Sequence, residues 1–383
     1  MKKIKYIVLL AFSFLLLVSC SKAEFVPAEL TNNPLSSSTD IAVNEVYETY
    51  KDKLNTVGLS IGIIKGEDIS FYGYGETKKG NGTIPNENTF YEIGSITKTF
   101  TAIMAAQMLL EQDSNVDTPI KSYLPDDLPT LNRNGIEVNF KHLLTHTSGL
   151  ARMPSNFKLL KNPAKAYADY DNRRLYSFLE NARLHADPFT QYSYSNAGMG
   201  VVGTILERNY DMDYGEVLRQ KLAEPLNLNN TTAYFNETNL AQWAQGYGLN
   251  GKEADYWKSL NALDGAGVIK STMMDLLTYA YANLNPSESR LGDAIKMTHT
   301  LYFNEYEDVD FFKVRSCLGW HEYVNKALPE KTFLWHGGDT AGFSSTMILD
   351  LEGKNALVLL FNAQVQPDER QLLISDLLQL MLD

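Results

Sequence analysis

Ser95 and Lys98 stand three residues apart in Gly94-Ser95-Ile96-Thr97-Lys98. A serine hydroxyl is a weak nucleophile and needs a base beside it. If a helix begins near Ser95, residues three apart share one face, and the lysine amine can meet the hydroxyl. Burial there pushes an amine toward its neutral, basic form. The helix N-terminus adds backbone N–H groups near the reacting centre. The spacing alone is a weak signal. Ser155-Asn156-Phe157-Lys158 repeats it, and a solvated helix start accounts for such a pair equally well.

Two further stretches carry suitable groups. In Tyr194-Ser195-Asn196, the tyrosine can pass a proton to and from Ser95 if a charged Lys98 lowers its pKa. Asn196 holds both a donor and an acceptor, enough to engage a substrate amide and Lys98 at once. A capped helix start with a packed tyrosine is the plainer reading. In His336-Gly337-Gly338-Asp339, Gly338 and its neighbour let another backbone approach a strand edge, where a substrate can add as a strand. The backbone N–H of Asp339, with that of Ser95, is a candidate oxyanion hole. The Asp339 carboxylate must then point away from the developing anion. A lone histidine before two glycines is otherwise turn chemistry.

Taken in this order, Ser95-Ile96-Thr97-Lys98, Tyr194-Ser195-Asn196 and His336-Gly337-Gly338 resemble the three motifs of the serine β-lactamase and penicillin-binding-protein superfamily. The nearest likeness is to its class C-like branch of D-alanyl-D-alanine carboxypeptidases, D-aminopeptidases and related esterases. Leu143 to Leu150, Glu224-Pro225-Leu226, Gly265-Ala266-Gly267 with Ser271-Thr272, Gly319-Trp320 and Gly342-Phe343-Ser344-Ser345 extend the match. It covers about residues 41 to 383. The resemblance implies a catalytic trio of Ser95, Lys98 and Tyr194. It implies substrate contacts from Asn196, His336, Gly338 and Asp339, an acyl-enzyme, and no cofactor. Expected substrates are small peptide-like amides, esters or β-lactams, with a D-stereospecific peptidase foremost. The alternative is a penicillin-binding or peptidoglycan-sensing protein that acylates without efficient turnover. His336 departs from the family's Lys-Thr-Gly. A neutral histidine holds a substrate carboxylate less well than a lysine, which weakens the case for efficient β-lactam hydrolysis.

The elements that must position these residues are legible in outline. Asp40 is a candidate N-cap for a helix to about Leu54, with Ile41, Val43, Val46 and Tyr50 as its apolar residues. Residues 58–64 and 69–74 read as strands of a hairpin turning at Lys65-Gly66-Glu67-Asp68. From Ser95 the pattern turns helical to about Gln112. Residues 113–267 read as helices and loops, with helices at Tyr176 to Leu184, Ala197 to Tyr210 and Tyr214 to Leu222. Three strands return at Thr332 to Trp335, Ser344 to Leu351 and Ala356 to Asn362, and a helix follows Pro367. The fold class is therefore α/β of the α+β kind. One antiparallel sheet is built from both ends of the chain, flanked by the terminal helices and carrying an all-helical insertion. Residues 40–383 form a single catalytic domain, its α/β part at about 40–112 and 268–383 and its helical part at about 113–267. Substrate selectivity is expected in that helical part and in loops at 299–316.

The N-terminus speaks to location. Lys2, Lys3 and Lys5 precede an apolar run from Ile7 to Val18 broken only by Ser13. That is shorter than the ~20 residues a spanning helix needs and fits a signal peptide over 1–19. Leu17-Val18-Ser19-Cys20 is similar to a lipobox, in which Cys20 carries lipid and anchors an exported protein to the bacterial envelope. Residues 20–39, rich in Ser, Pro and Asn, read as a flexible tether. With Cys20 lipidated, Cys317 has no partner for a disulfide and reads as a small buried hydrophobe. The net charge of −12 shows no basic patch, which argues against a nucleic-acid partner. His142 and His146 stand at a zinc-like i, i+4 spacing, but Thr147-Ser148-Gly149 breaks the helix there, so no metal is expected. No G-x-S-x-G elbow or H-E-x-x-H occurs.

Overall fold

The structure is a computed structural model that describes residues 30–308 and 311–382. The leader, Cys20 and the first part of the expected tether lie outside the described residues. Helix α1 spans Ser38–Leu54. Ser37, not Asp40, is its N-cap. Asp40 is the third residue of a capping box, its carboxylate accepting from the Ser36 and Ser37 N–H groups. These bonds hold the Asp40 pKa down at about 2. The reach from Leu30 to Ser37, expected as tether, is tied down. Asn32 N–H donates to Gly73 C=O and Gly75 N–H to Leu30 C=O, and Asn33 Nδ2 reaches the Tyr74 hydroxyl at 2.8 Å.

Eight antiparallel strands make the main sheet. They are β1 (Gly58–Lys65), β2 (Asp68–Gly75), β3 (Phe303–Asp308), β4 (Phe312–Ser316), β5 (His321–Asn325), β6 (Phe333–Asp339), β7 (Ser344–Asp350) and β8 (Asn355–Phe361). Their spatial order is β2-β1-β8-β7-β6-β5-β4-β3. The two ends of the chain meet where β1 pairs with β8, Ile61 opposite Leu359. The expected sheet from both termini is thus present, with three more strands at 303–325, two of them within 299–316 where loops were expected. β3 and β4 are largely polar and half-exposed, so they lack the apolar run that marks β7 and β8.

Both faces of the central strands are covered, so β1, β7 and β8 are buried along nearly their whole length, and β8 reads as a continuous apolar run instead of alternating. On one face lie α1 and the C-terminal helix Pro367–Leu382, packing Val43, Tyr47, Leu373 and Leu377 against Leu59, Ile61 and Leu359. On the other lies the larger core, into which helix α2 (Thr97–Glu111) is sunk with nearly every residue buried. Ile41, counted with the apolar face of α1, is instead 47% exposed. The helical part holds α3 (Asn196–Tyr210). A short hairpin, Asn132–Arg133 with Ile136–Glu137, interrupts its otherwise helical character. Cys317 is buried, its thiol pushed up to about 12 by loss of water.

Leu359 is fully buried between sheet and helices. Leu359→Ala should cost ~2–5 kcal/mol in urea unfolding, whereas Ile41→Ala should stay within about 0.5 kcal/mol of the parent.

Candidate active site

Ser95 rides on a single tight turn, Gly94–Ile96, that leads straight into α2. Gly94 has φ +50°, and a Cβ on it would lie 2.9 Å from the Asp339 nitrogen. Gly338 faces the same gap from β6. A Cβ there would stand 2.1 Å from Ile93 O and 2.9 Å from Ser95 N. The two glycines let the turn lie directly on the edge of β6. Ser345 Oγ fastens it by donating to Ile93 C=O at 2.9 Å.

Lys98, in the first turn of α2, is completely buried. Its Nζ lies 2.9 Å from Ser95 Oγ and donates to Ala266 C=O at 2.6 Å. Loss of water drives its pKa well below the usual lysine value, and the nearby positive charge of Arg152 adds to this. Tyr194, immediately before the Ser195 N-cap of α3, brings its ring centre to 4.9 Å from Lys98 Nζ. Enclosure raises its phenol pKa above the ordinary 10, against smaller downward pulls from its hydrogen bond with Ser95 and from Arg152. The condition that a charged Lys98 lower the tyrosine's pKa is not met, whereas the expected shift of the buried lysine toward its neutral form is. The dry site favours a neutral amine and a protonated phenol.

Asn196 also departs from expectation. Its Nδ2 is 3.5 Å from Met153 Sδ and its buried Oδ1 has no partner. The second contact of Lys98 goes to Ala266, because the Gly265-Ala266-Gly267 backbone lies closer to the amine than the start of α3. Asn196 still lines the pocket. Asp339 turns its carboxylate away from Ser95, taking Arg370 Nη1 at 2.9 Å and Ser344 Oγ at 2.7 Å. The Thr340 N–H bonds Phe343 C=O across the β6–β7 turn. By ladder alternation the Asp339 N–H then points off β7, toward the turn that carries Ser95.

His336 is buried, and its Nδ1 lies 2.7 Å from Gly337 O. A carbonyl only accepts, so Nδ1 carries the proton and Nε2 offers a lone pair, which has no partner. Burial, then His321 and Lys98, hold its pKa well below the usual imidazole value. It is a neutral group where the resemblance placed a cation. His321, on β5, opens a His-Glu pair that does not continue as H-E-x-x-H. It lies 5.3 Å from His336, ring centre to ring centre, and 2.9 Å through Nε2 from the Tyr192 hydroxyl. Burial keeps it at about 4. His142 and His146 take separate partners, His142 within the Asn139 capping box and His146 accepting from Ser195 N–H.

These groups open on a cavity of about 520 Å³, within the ordinary range for small-molecule sites. Tyr167, Trp257, Leu260 and Met153 line one part; Phe312, Val314, Trp335 and His321 line another. Phe312 and Val314 of the second wall belong to a strand within 299–316, where loops were expected, and Trp335 to the expected strand at 332–335. Alternating burial of His321, Tyr323 and Asn325 is the period-two pattern that marks β5. Arg152, two residues beyond the quoted Leu143 to Leu150 stretch, lines the pocket too.

A serine and a desolvated lysine beneath a pocket, on an antiparallel sheet with a helical part, define a serine hydrolase of the β-lactamase and transpeptidase type. A family model described as Beta-lactamase matches residues 43–380, and the chain belongs to that family. A β-lactamase of Pseudomonas fluorescens is 29% identical over 293 residues, 75% of each chain. The D-alanyl-D-alanine-carboxypeptidase/endopeptidase AmpH of Escherichia coli strain K12 is 26% identical over 194 residues, 49% of each chain. A solved β-lactamase/D-alanine carboxypeptidase from Pseudomonas syringae has TM-score 0.74 at 23% identity, covering 90% of this chain and 99% of its own.

Between the folded pKa of Lys98 and 10.5, the unfolded chain binds one more proton than the folded one, so this lysine costs stability that is recovered as pH rises. Melting of wild type and Lys98→Met side by side should show the difference moving in favour of wild type from pH 7 to pH 10.

Proposed function

We propose that the protein is an exported, lipid-anchored serine hydrolase that cleaves peptide-like amides through an acyl-enzyme, with D-stereospecific peptidase activity foremost. The observation that carries the reading is the 2.9 Å contact between Ser95 Oγ and the buried Lys98 amine. Neutral Lys98 takes the Ser95 proton as Oγ bonds to the substrate carbonyl carbon. The N–H groups of Ser95 and Asp339 receive the resulting oxyanion. Tyr194, held as a phenol, gives its proton to the leaving nitrogen as the C–N bond breaks, and the Lys98 ammonium restores it. Water then attacks the ester, its proton passing by the same groups, and the product acid leaves with Ser95 regenerated. The carboxypeptidase names among the relatives support a D-amino-acid leaving group. The neutral His336 weakens the case for efficient β-lactam turnover and opens esterase or aminopeptidase readings. For location, the leader and Cys20 support a lipid anchor, readable by metabolic labelling with an alkynyl fatty acid that Cys20→Ser should abolish.

The deciding assay follows release of D-alanine from a D-Ala-D-Ala peptide beside nitrocefin and a short-chain ester. Peptide turnover that disappears in Ser95→Ala supports the proposal. Stoichiometric acylation with no turnover of any substrate would make it a penicillin-binding or sensing protein instead. Tyr194→Phe should lower kcat by ~10²- to 10⁴-fold while Ser95 can still be labelled slowly by a fluorophosphonate. Acylation should fall as pH drops through the lowered Lys98 pKa, and Lys98→Arg, which stays charged, should abolish it.

A further inference from the structure

The third motif offers no cation here, yet the pocket is not without one. Among the described residues, two pocket-lining side chains carry a positive charge, Arg152 and Arg370. Arg370 is spent on Asp339. Arg152 has no ion pair, and its side chain instead lies with Cζ 4.9 Å from the centre of the Tyr194 ring. Lys98 Nζ stands at the same distance from that ring centre, so guanidinium and base are separated by at most twice that length. An extended peptide advances about 3.3 Å per residue. Adding the reach from guanidinium to a bound carboxylate and the 2.9 Å from Nζ to Ser95 Oγ, a group held by Arg152 sits within about five residues of the carbonyl attacked by Ser95.

The position of Arg152 is built, not incidental. Its carbonyl accepts from Asn196 N–H at 2.9 Å and Ala197 N–H at 3.3 Å, and Ser195 Oγ donates to Ala151 C=O at 2.8 Å. The backbone at 151–152 is thus locked to the start of α3, the same junction that sets Tyr194. A guanidinium that uses its face on an aromatic ring keeps its edge N–H groups free, and those form a two-pronged match for a carboxylate. The other anion lining the pocket is Glu307, exposed on β3, with no bond to Arg152.

Resting on the serine-hydrolase reading above, we propose that Arg152 anchors a substrate carboxylate in place of the third motif. The enzyme then selects peptide-like substrates that carry a carboxylate within about five residues of the scissile bond. His336, with an open lone pair at Nε2 and its neighbour His321, meets a donor such as a substrate N–H or hydroxyl instead of an anion.

The test separates binding from catalysis by working in the full chain with Ser95→Ala. Calorimetry compares two matched pairs of probes. One is acetyl-D-Ala-D-Ala as free acid and as C-terminal amide. The other is acetyl-D-Glu-D-Ala-D-Ala and acetyl-D-Gln-D-Ala-D-Ala, both as amides. The acid member of at least one pair should bind tighter. Adding Arg152→Gln should cut that preference about tenfold or more, Arg152→Lys should keep part of it, and His336→Gln should leave it. An acid preference unchanged by Arg152→Gln, one removed by His336→Gln, or no preference in either pair overturns the proposal. Failure of wild-type Ser95 to accept any reactive acyl donor would sink the hydrolase reading instead, a separate result.

Discussion

Everything in this molecule that bears on chemistry depends on holding one amine without water. Lys98 is enclosed on α2, the most deeply sunk helix of the larger core, and its hydrogen-bond partners are a hydroxyl and a carbonyl instead of a carboxylate. Had the fold supplied a counter-ion, the amine would stay protonated and useless as a base. The enclosure also decides the state of its neighbours. Tyr194, His146, His321 and His336 lie around it, and each is pushed toward its uncharged form by the same loss of water. The reacting centre is therefore polar but nearly free of formal charge. Charge enters from outside the shell, at Arg152 on one flank and the Asp339–Arg370 pair on another.

Close approach of backbones is the second constraint. The Ser95 turn rests on β6 with no side chain between them. This places two N–H groups from sequence-distant segments on one small volume, without any side chain assigned to that task. The helical part contributes Tyr194 and Arg152 through a single junction, where the 151–152 backbone is bonded to the first residues of α3.

Much of this was legible from the sequence. Ser95 with Lys98, the tyrosine before a helix cap, and glycines at the end of an apolar strand each name a physical requirement: a base, a proton carrier, an open edge. The sheet from both chain ends followed from the apolar runs at 58–74 and 332–362. What escaped was decided by neighbours in space. The polar strands at 303–325 gain their place by pairing, not by apolar content, so 303–316 read as loop and His321 carried no strand signal. The partner of Lys98 was misassigned to Asn196 because no local pattern announces which distant carbonyl an amine will meet. The tyrosine stays a phenol because its own burial outweighs the downward pulls around it, which sequence spacing does not reveal. Arg152 gave no signal, being an ordinary surface-type residue next to a recognisable stretch.

The ion pair between Asp339 and Arg370 ties the reacting centre to the far end of the polypeptide. Arg370 opens the C-terminal helix, and its guanidinium neutralises a carboxylate whose own backbone nitrogen faces the nucleophile's turn. The helix that packs against the sheet thus also supplies the counter-charge for the one carboxylate next to the oxyanion-facing nitrogen, so its docking and the electrostatics of the site are a single event.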